Sequence, residues 1–137
     1  MDGEFRIAVK GFIMDDEENL LILKRSPDDV QRPEIWELPG GRLNPLEDPI
    51  SGLRREIKEE TGLSVEVVHP INVRHFTRQD GQTITMIIFL CKTSSKEVTI
   101  GEEHTGYKWV YIDQAKGSID SWFYPEVDAF QRFFRNR

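Results

Sequence analysis

The sequence predicts an α/β (α+β) sandwich in which a mixed β-sheet lies between helices. Three observations predict it. Apolar segments of strand length recur from Phe5 to Ile112. A capped amphipathic helix, residues 49–61, interrupts them, and a second helical stripe, residues 125–134, closes the chain. Strands that precede, separate and follow two helices suit a mixed sheet covered on both faces.

Taken in order, Phe5 to Met14 is rich in Ile, Val and Phe and reads as a strand. Asp15-Asp16-Glu17-Glu18-Asn19 is a polar turn, and Leu20 to Lys24 is the returning strand of a hairpin. That acidic turn lacks the ligand spacing, central Gly and distal Glu of an EF-hand, so it reads as solvated. Ser26 to Glu34 holds two prolines among charged residues and reads as a loop. Asp48 can cap the helix, Pro49 suits its first position, and Gly62 suits a left-handed exit. Leu63 to Val68 alternates, Thr83 to Thr93 is largely apolar, and Tyr107 to Ile112 alternates again, so each reads as a strand. In the closing helix, Val127, Phe130 and Phe134 share one stripe.

A chain of 137 residues, 38% hydrophobic and 31% charged, fits one globular domain, residues 1–137. No run approaches the ~18 apolar residues of a membrane span. Met1-Asp2-Gly3-Glu4 lacks the basic and apolar regions of a signal peptide, so a cytoplasmic location is expected. Cys91 stands alone within Met86-Ile87-Ile88-Phe89-Leu90-Cys91 and reads as a small buried hydrophobe, not a nucleophile. The net charge of −6 argues against nucleic acid or an anionic membrane as partner. It still allows a small polyphosphate, provided divalent cations stand between the two sets of negative charge.

The chemistry concentrates in Gly40 to Leu63. Glu56, Glu59 and Glu60 are three or four apart, so their carboxylates share one helical stripe. Ile50, Leu53 and Ile57 form another stripe, roughly 100° away, that can be buried. Clustered carboxylates repel one another and raise each other's pKa unless solvated or neutralised. Hard oxygen ligands in that number suit Mg²⁺ or Mn²⁺, whereas the helix alone is equally readable as a solvated acidic face. Gly40 and Gly41 can bring backbone groups close to an ion or phosphate. Arg55, beside the stripe, can clamp the loop that carries Glu47 through a bidentate ion pair.

The pattern Gly, five residues, Glu, seven residues, Arg-Glu-aliphatic-any-Glu-Glu-any-Gly-aliphatic resembles the Nudix box. Gly41, Glu47, Arg55, Glu56, Ile57, Glu59, Glu60, Gly62 and Leu63 fill it without departure. The flanks Leu-Leu-Ile-Leu-Lys-Arg, Trp-Glu-Leu-Pro-Gly-Gly and Lys-Trp-Val are also similar to the Nudix family, at lower specificity. The resemblance implies a Nudix-type α/β/α sandwich and a metal-dependent hydrolase. It implies that Glu56, Glu59 and Glu60, the Gly40 carbonyl and an acidic residue before Trp109, Glu103 or Glu102, bind Mg²⁺ or Mn²⁺. It assigns Arg55 and Glu47 to holding the loop, and Glu59 or Glu56 to accepting the proton of the attacking water. Homodimers are common in the family.

The box handles a diphosphate and leaves the rest of the substrate open. Lys24 and Arg25, ending a strand, can meet a substrate phosphate or simply be solvated. Family members that remove oxidised purine nucleotides use acidic or amide side chains near the position of Asp120, which can equally cap a helix. His104 reads as a polar strand-end residue. The leading expectation is a nucleoside triphosphate cleaved to monophosphate and pyrophosphate. The alternatives are ADP-ribose or a nucleotide sugar, a dinucleoside polyphosphate, and a catalytically silent nucleotide-binding module.

Overall fold

The structure, a computed structural model, describes residues 4–29 and 33–135. Strand β1 (Phe5–Met14) lies at the centre of the sheet. It runs parallel to β6 (Thr83–Lys92) along its whole length, with Phe5 opposite Thr83 and Met14 opposite Lys92. β5 (Glu66–Thr77) flanks β6 antiparallel. Beyond the other edge of β1 lie β2 (Asn19–Arg25), β3 (Trp36–Glu37) and β7 (His104–Tyr111); β3 and β7 both run antiparallel to β2. β4 (Gly40–Arg42) pairs with β1, Gly40 opposite Lys10. The sheet is therefore mixed, as the sequence predicts.

The expected hairpin is corrected. β1 and β2 pair only next to the turn, Met14 opposite Leu20. Beyond that point the free edge of β1 is taken by the segment after β3. Gly11 N donates to Pro39 O at 2.8 Å, and β4 follows at Ala8 to Lys10. The chain thus crosses between the two halves of the sheet at Leu38-Pro39. The two-residue β3 and three-residue β4 are too short for periodicity to register. The acidic turn folds on itself: Asp15 accepts from the amides of Glu17 and Asn19 and pairs with Lys96 at 2.9 Å.

Other boundaries also move. Leu63 and Val65 pack under the first helix, so pairing of β5 begins at Glu66 and continues well past the expected Val68. Irregularities between Val67 and His69 and between Pro70 and Asn72 accommodate Pro70, which has no amide to donate. β7 begins earlier than expected, at His104. The closing helix covers the expected residues but is not uniform. A 3-10 turn, Ser121–Phe123, leads into α2 (Tyr124–Ala129), which widens into a π turn over Phe130–Phe134. In the loop expected at Ser26 to Glu34, residues 30–32 lie outside the described residues.

The first helix, α1 (Pro49–Thr61), has the predicted bounds. The Asp48 carboxylate accepts from Ser51 N at 3.0 Å, and Gly62 ends the helix at φ 76°. Alternation along β1 and β2 divides the core. Val9, Ile13, Leu21 and Leu23 meet Leu53 and Ile57 of α1, and Cys91 is buried with them. Ala8, Phe12, Leu20 and Ile22 meet Phe123, Val127 and Phe130 on the other face. Burial pushes the Cys91 thiol up to about 12, in keeping with a packing role. Beneath α2 a buried ion pair ties the closing segment to β5. Glu126 meets Arg74 at 3.0 Å and also accepts from Asn72, while the Arg74 guanidinium lies 3.8 Å over the Trp122 ring. Among the described residues no helix is long and apolar enough to cross a membrane.

Removing the cap should act on stability alone. Asp48→Ala is expected to destabilise the fold by about 1 kcal/mol. Denaturant unfolding should show the loss while turnover stays at the wild-type rate.

Candidate functional site

Beside the crossing at Leu38-Pro39, Glu37 and Gly40 to Asn44 line a cleft of about 880 Å³. Gly40 turns the chain into it at φ 139°, where a Cβ would stand 2.1 Å from Val9 O, so only glycine fits. The Gly40 amide donates to Glu60 Oε1 at 2.9 Å. At Gly41 a Cβ would stand 3.0 Å from the carboxyl atoms of Glu56, which shows how closely that side chain approaches the loop.

Glu60 is only 7% exposed, and burial pushes its carboxyl up to about 8. Burial likewise raises Glu56; Glu59 and Glu103 add to the rise, and Arg55 opposes it. Glu56, Glu60, Glu103 and Gly40 all line the cleft. Glu59 does not. Its side chain is 59% exposed and turned to Arg55, 3.3 Å away. Among the described residues no three acidic, His or Cys side chains already stand as a metal-binding group. The donor set nonetheless fits a hard divalent cation. Two carboxylates raised by burial and one more facing the same cleft are relieved by added positive charge.

The clamp is formed. Arg55 Nε donates to Glu47 Oε2 at 2.7 Å and Nη2 to Oε1 at 2.9 Å, so the fork is bidentate. Glu47 also accepts from Asn44 N. The Arg55 hydrogen bonds hold the Glu47 carboxyl down at about 2.

Behind the carboxylates is a hub that the sequence reading missed. Glu37 Oε1 accepts from Lys10 Nζ at 3.0 Å and Arg25 Nη1 at 2.8 Å, and Oε2 accepts from His104 Nε2 at 2.9 Å. Burial opposes its ionisation, but Lys10, His104 and Arg25 together win and hold it at about 2. Lys10 also donates to Leu38 O at 3.0 Å and to Gly40 O at 3.4 Å. His104 fixes the backbone beside Glu103, whose carbonyl accepts from Ser26 N. His104 is therefore buried and structural, with Nδ1 lacking a partner among the described residues. The signal was available: a Lys and a Glu within apolar strands need partners.

Of the residues expected to meet substrate, Arg25 lines the cleft but is held by Glu37 and Asp29. Lys24 and Asp120 do not line it. Asp120 instead caps the 3-10 turn, accepting from Trp122 N at 3.1 Å. The apolar lining comes from Phe76, Ile84, Met86, Trp122 and Phe123, with Phe76 edge-on to Trp122 at 5.2 Å.

The model of the NUDIX domain matches residues 4–130. A nucleoside triphosphatase NudI from Klebsiella pneumoniae (strain 342) is 37% identical, covering 76% of this chain and 81% of its own length. A MutT-like protein from Streptomyces ambofaciens is 32% identical, covering 79% of this chain and 65% of its own. The crystal structure of a MutT protein from Methanosarcina mazei Go1 superposes with a TM-score of 0.85 at 26% identity, over 96% of each chain.

Two buried carboxylates give the metal-free protein opposite pH dependences. Glu37, held low, contributes stability above its unfolded value near 4.5 that is lost as pH falls toward 2. Glu60, held high, costs stability progressively as pH rises from 4.5 toward 8. Glu60→Gln should flatten the alkaline slope in melting temperature. Glu37→Gln, which leaves Lys10 uncompensated, should destabilise the protein by about 3–5 kcal/mol at pH 7. An alkaline slope that persists in Glu60→Gln would refute the assignment.

Proposed function

The chain belongs to the NUDIX family, and from that membership and the acidic cleft we propose a pyrophosphohydrolase that converts a nucleoside triphosphate to monophosphate and pyrophosphate. As a Nudix hydrolase it acts on phosphoric anhydride bonds and needs a divalent metal ion. Mg²⁺ or Mn²⁺ is the proposed ion, because Glu56, Glu60, Glu103 and the Gly40 carbonyl are oxygen donors suited to hard cations. The observation that carries the reading is Glu60, a nearly buried carboxylate kept at the mouth of the Gly40 turn at an energetic cost.

Glu56 and Glu60 are the proposed principal ligands, with Glu103, the Gly40 carbonyl and Glu59 completing the set. When bound, the ion offsets the charge of the diphosphate and lowers the pKa of a water molecule. The chain's own residues do the rest. Gly40 and Gly41 bring backbone within reach of a phosphate, and the Arg55–Glu47 fork holds that loop to α1. A glutamate takes the proton of the attacking water. Glu56 is favoured over Glu59, since it lines the cleft while Glu59 is turned outward to Arg55. Phe76, Trp122 and Met86 supply an apolar surface on which a base can stack. The relatives named as a nucleoside triphosphatase and a MutT-like protein support a mononucleotide over a nucleotide sugar or dinucleotide.

A panel of nucleotides assayed for phosphate and pyrophosphate tests the reading. A triphosphate should release pyrophosphate, EDTA should abolish turnover, and Mg²⁺ or Mn²⁺ should restore it. Glu56→Gln should lower kcat by ~10²-fold or more without loss of fold. If Glu56→Gln stays within about threefold of wild type while Glu59→Gln is inactive, the base is Glu59. Arg55→Ala should lower melting temperature and activity together, as befits a clamp.

A further inference from the structure

The same cleft is also lined by Arg6, Arg42 and Arg78, which have no part in the proposed metal site or proton transfer. Their arrangement is built on one side chain. Gln82, only 9% exposed, offers Oε1 to Arg42 Nη1 at 2.9 Å and to Arg78 Nη1 at 3.3 Å. Its amide Nε2 donates to Glu4, which pairs with Arg6 at 2.7 Å. Gln82 is itself fixed, because its own amide donates to Asp80 Oδ1 and its carbonyl accepts from Arg78 N.

Two guanidinium groups sharing one neutral oxygen repel each other. A neutral acceptor orients them without cancelling their charge. Arg78 has partial compensation from Asp80 at 3.0 Å, whereas Arg42 is held by the neutral Gln82 and has no carboxylate partner among the described residues. Such a forked pair matches the oxygens of a phosphate. A triphosphate chain carries one more phosphoryl group than the diphosphate whose cleavage the acidic cluster serves. That group needs cations of its own.

We propose that Arg42 and Arg78, held by Gln82, form a subsite for the terminal phosphate of a triphosphate chain. This rests on the reading of the cleft as a nucleotide hydrolase site and extends it. The subsite selects triphosphates over diphosphates by charge, and Gln82 is a positioning residue.

The test is Gln82→Glu, which keeps an acceptor for both arginines but offsets the charge they offer, and replaces the bond to the exposed Glu4 by a repulsion that Glu4→Gln in the same chain relieves. It should raise KM for a nucleoside triphosphate by ~10-fold or more, leave kcat within about threefold, and leave KM for the matching diphosphate nearly unchanged. Arg78→Ala should shift the same parameter in the same direction, and serves if Gln82→Glu does not fold. Equal shifts for both substrates, or none for either, would overturn the subsite. Calorimetric binding of inorganic tripolyphosphate and pyrophosphate in Mg²⁺ needs no turnover. Wild type should prefer tripolyphosphate, and the variant should lose that preference. If wild type binds the two alike, the subsite is refuted. If it prefers tripolyphosphate yet hydrolyses no nucleotide, the hydrolase reading fails while the subsite stands.

Discussion

Glu37 is the constraint on which the rest of the site depends. β1 and β2 touch only at their turn, so the sheet is nearly split, and one carboxylate bridges the split from β3 to β1, β2 and β7. An ion so buried is costly unless fully paired. Here both oxygens are used and all partners are cationic or hydrogen-bond donors. The consequence extends to both ends of the cleft. Lys10 carries the hub to the carbonyls of Leu38 and Gly40, and His104 carries it to the loop of Glu103.

The cleft also sorts its charges. Lys10 and Arg25 are committed to Glu37, and Arg55 to Glu47. Glu56 and Glu60 are left short of cations, while Arg42 has no carboxylate partner among the described residues. A protein with net charge −6 therefore offers both unmet negative and unmet positive demand in one cavity. A metal–polyphosphate complex carries both signs. Neither a neutral ligand nor a bare anion would satisfy both demands.

What was legible in the sequence is what is local. α1 was readable to the residue because its cap, its exit glycine and its stripes lie within one helix. The Arg55–Glu47 fork spans 8 residues and was readable for the same reason. Glu37 was not, since its partners lie 12, 27 and 67 residues away and become neighbours only once the sheet forms. The splayed hairpin was hidden likewise: nothing in residues 5–25 shows that the segment after β3 will occupy the edge of β1. Asp120 was ambiguous for a different reason. Capping and base recognition ask for the same residue type, and the structure shows the capping bond to Trp122 N, with Asp120 not among the residues that line the cleft.

The acidic stripe of α1 is less uniform than its spelling suggests. Glu60 is buried and raised, Glu56 is half-buried and raised, and Glu59 is solvated and held by Arg55. Three identical side chains thus differ in how much a nearby cation would change them. The gain is greatest for Glu60, which has paid most in desolvation. Glu59 gains least and would first have to leave Arg55. Arg55 keeps its two bonds to Glu47 when that happens, because the fork uses Nε and Nη2 while Glu59 touches Nη1. The loop can therefore stay clamped while the outer glutamate swings, which lets a rigid Gly40 turn coexist with a movable carboxylate on the same helix.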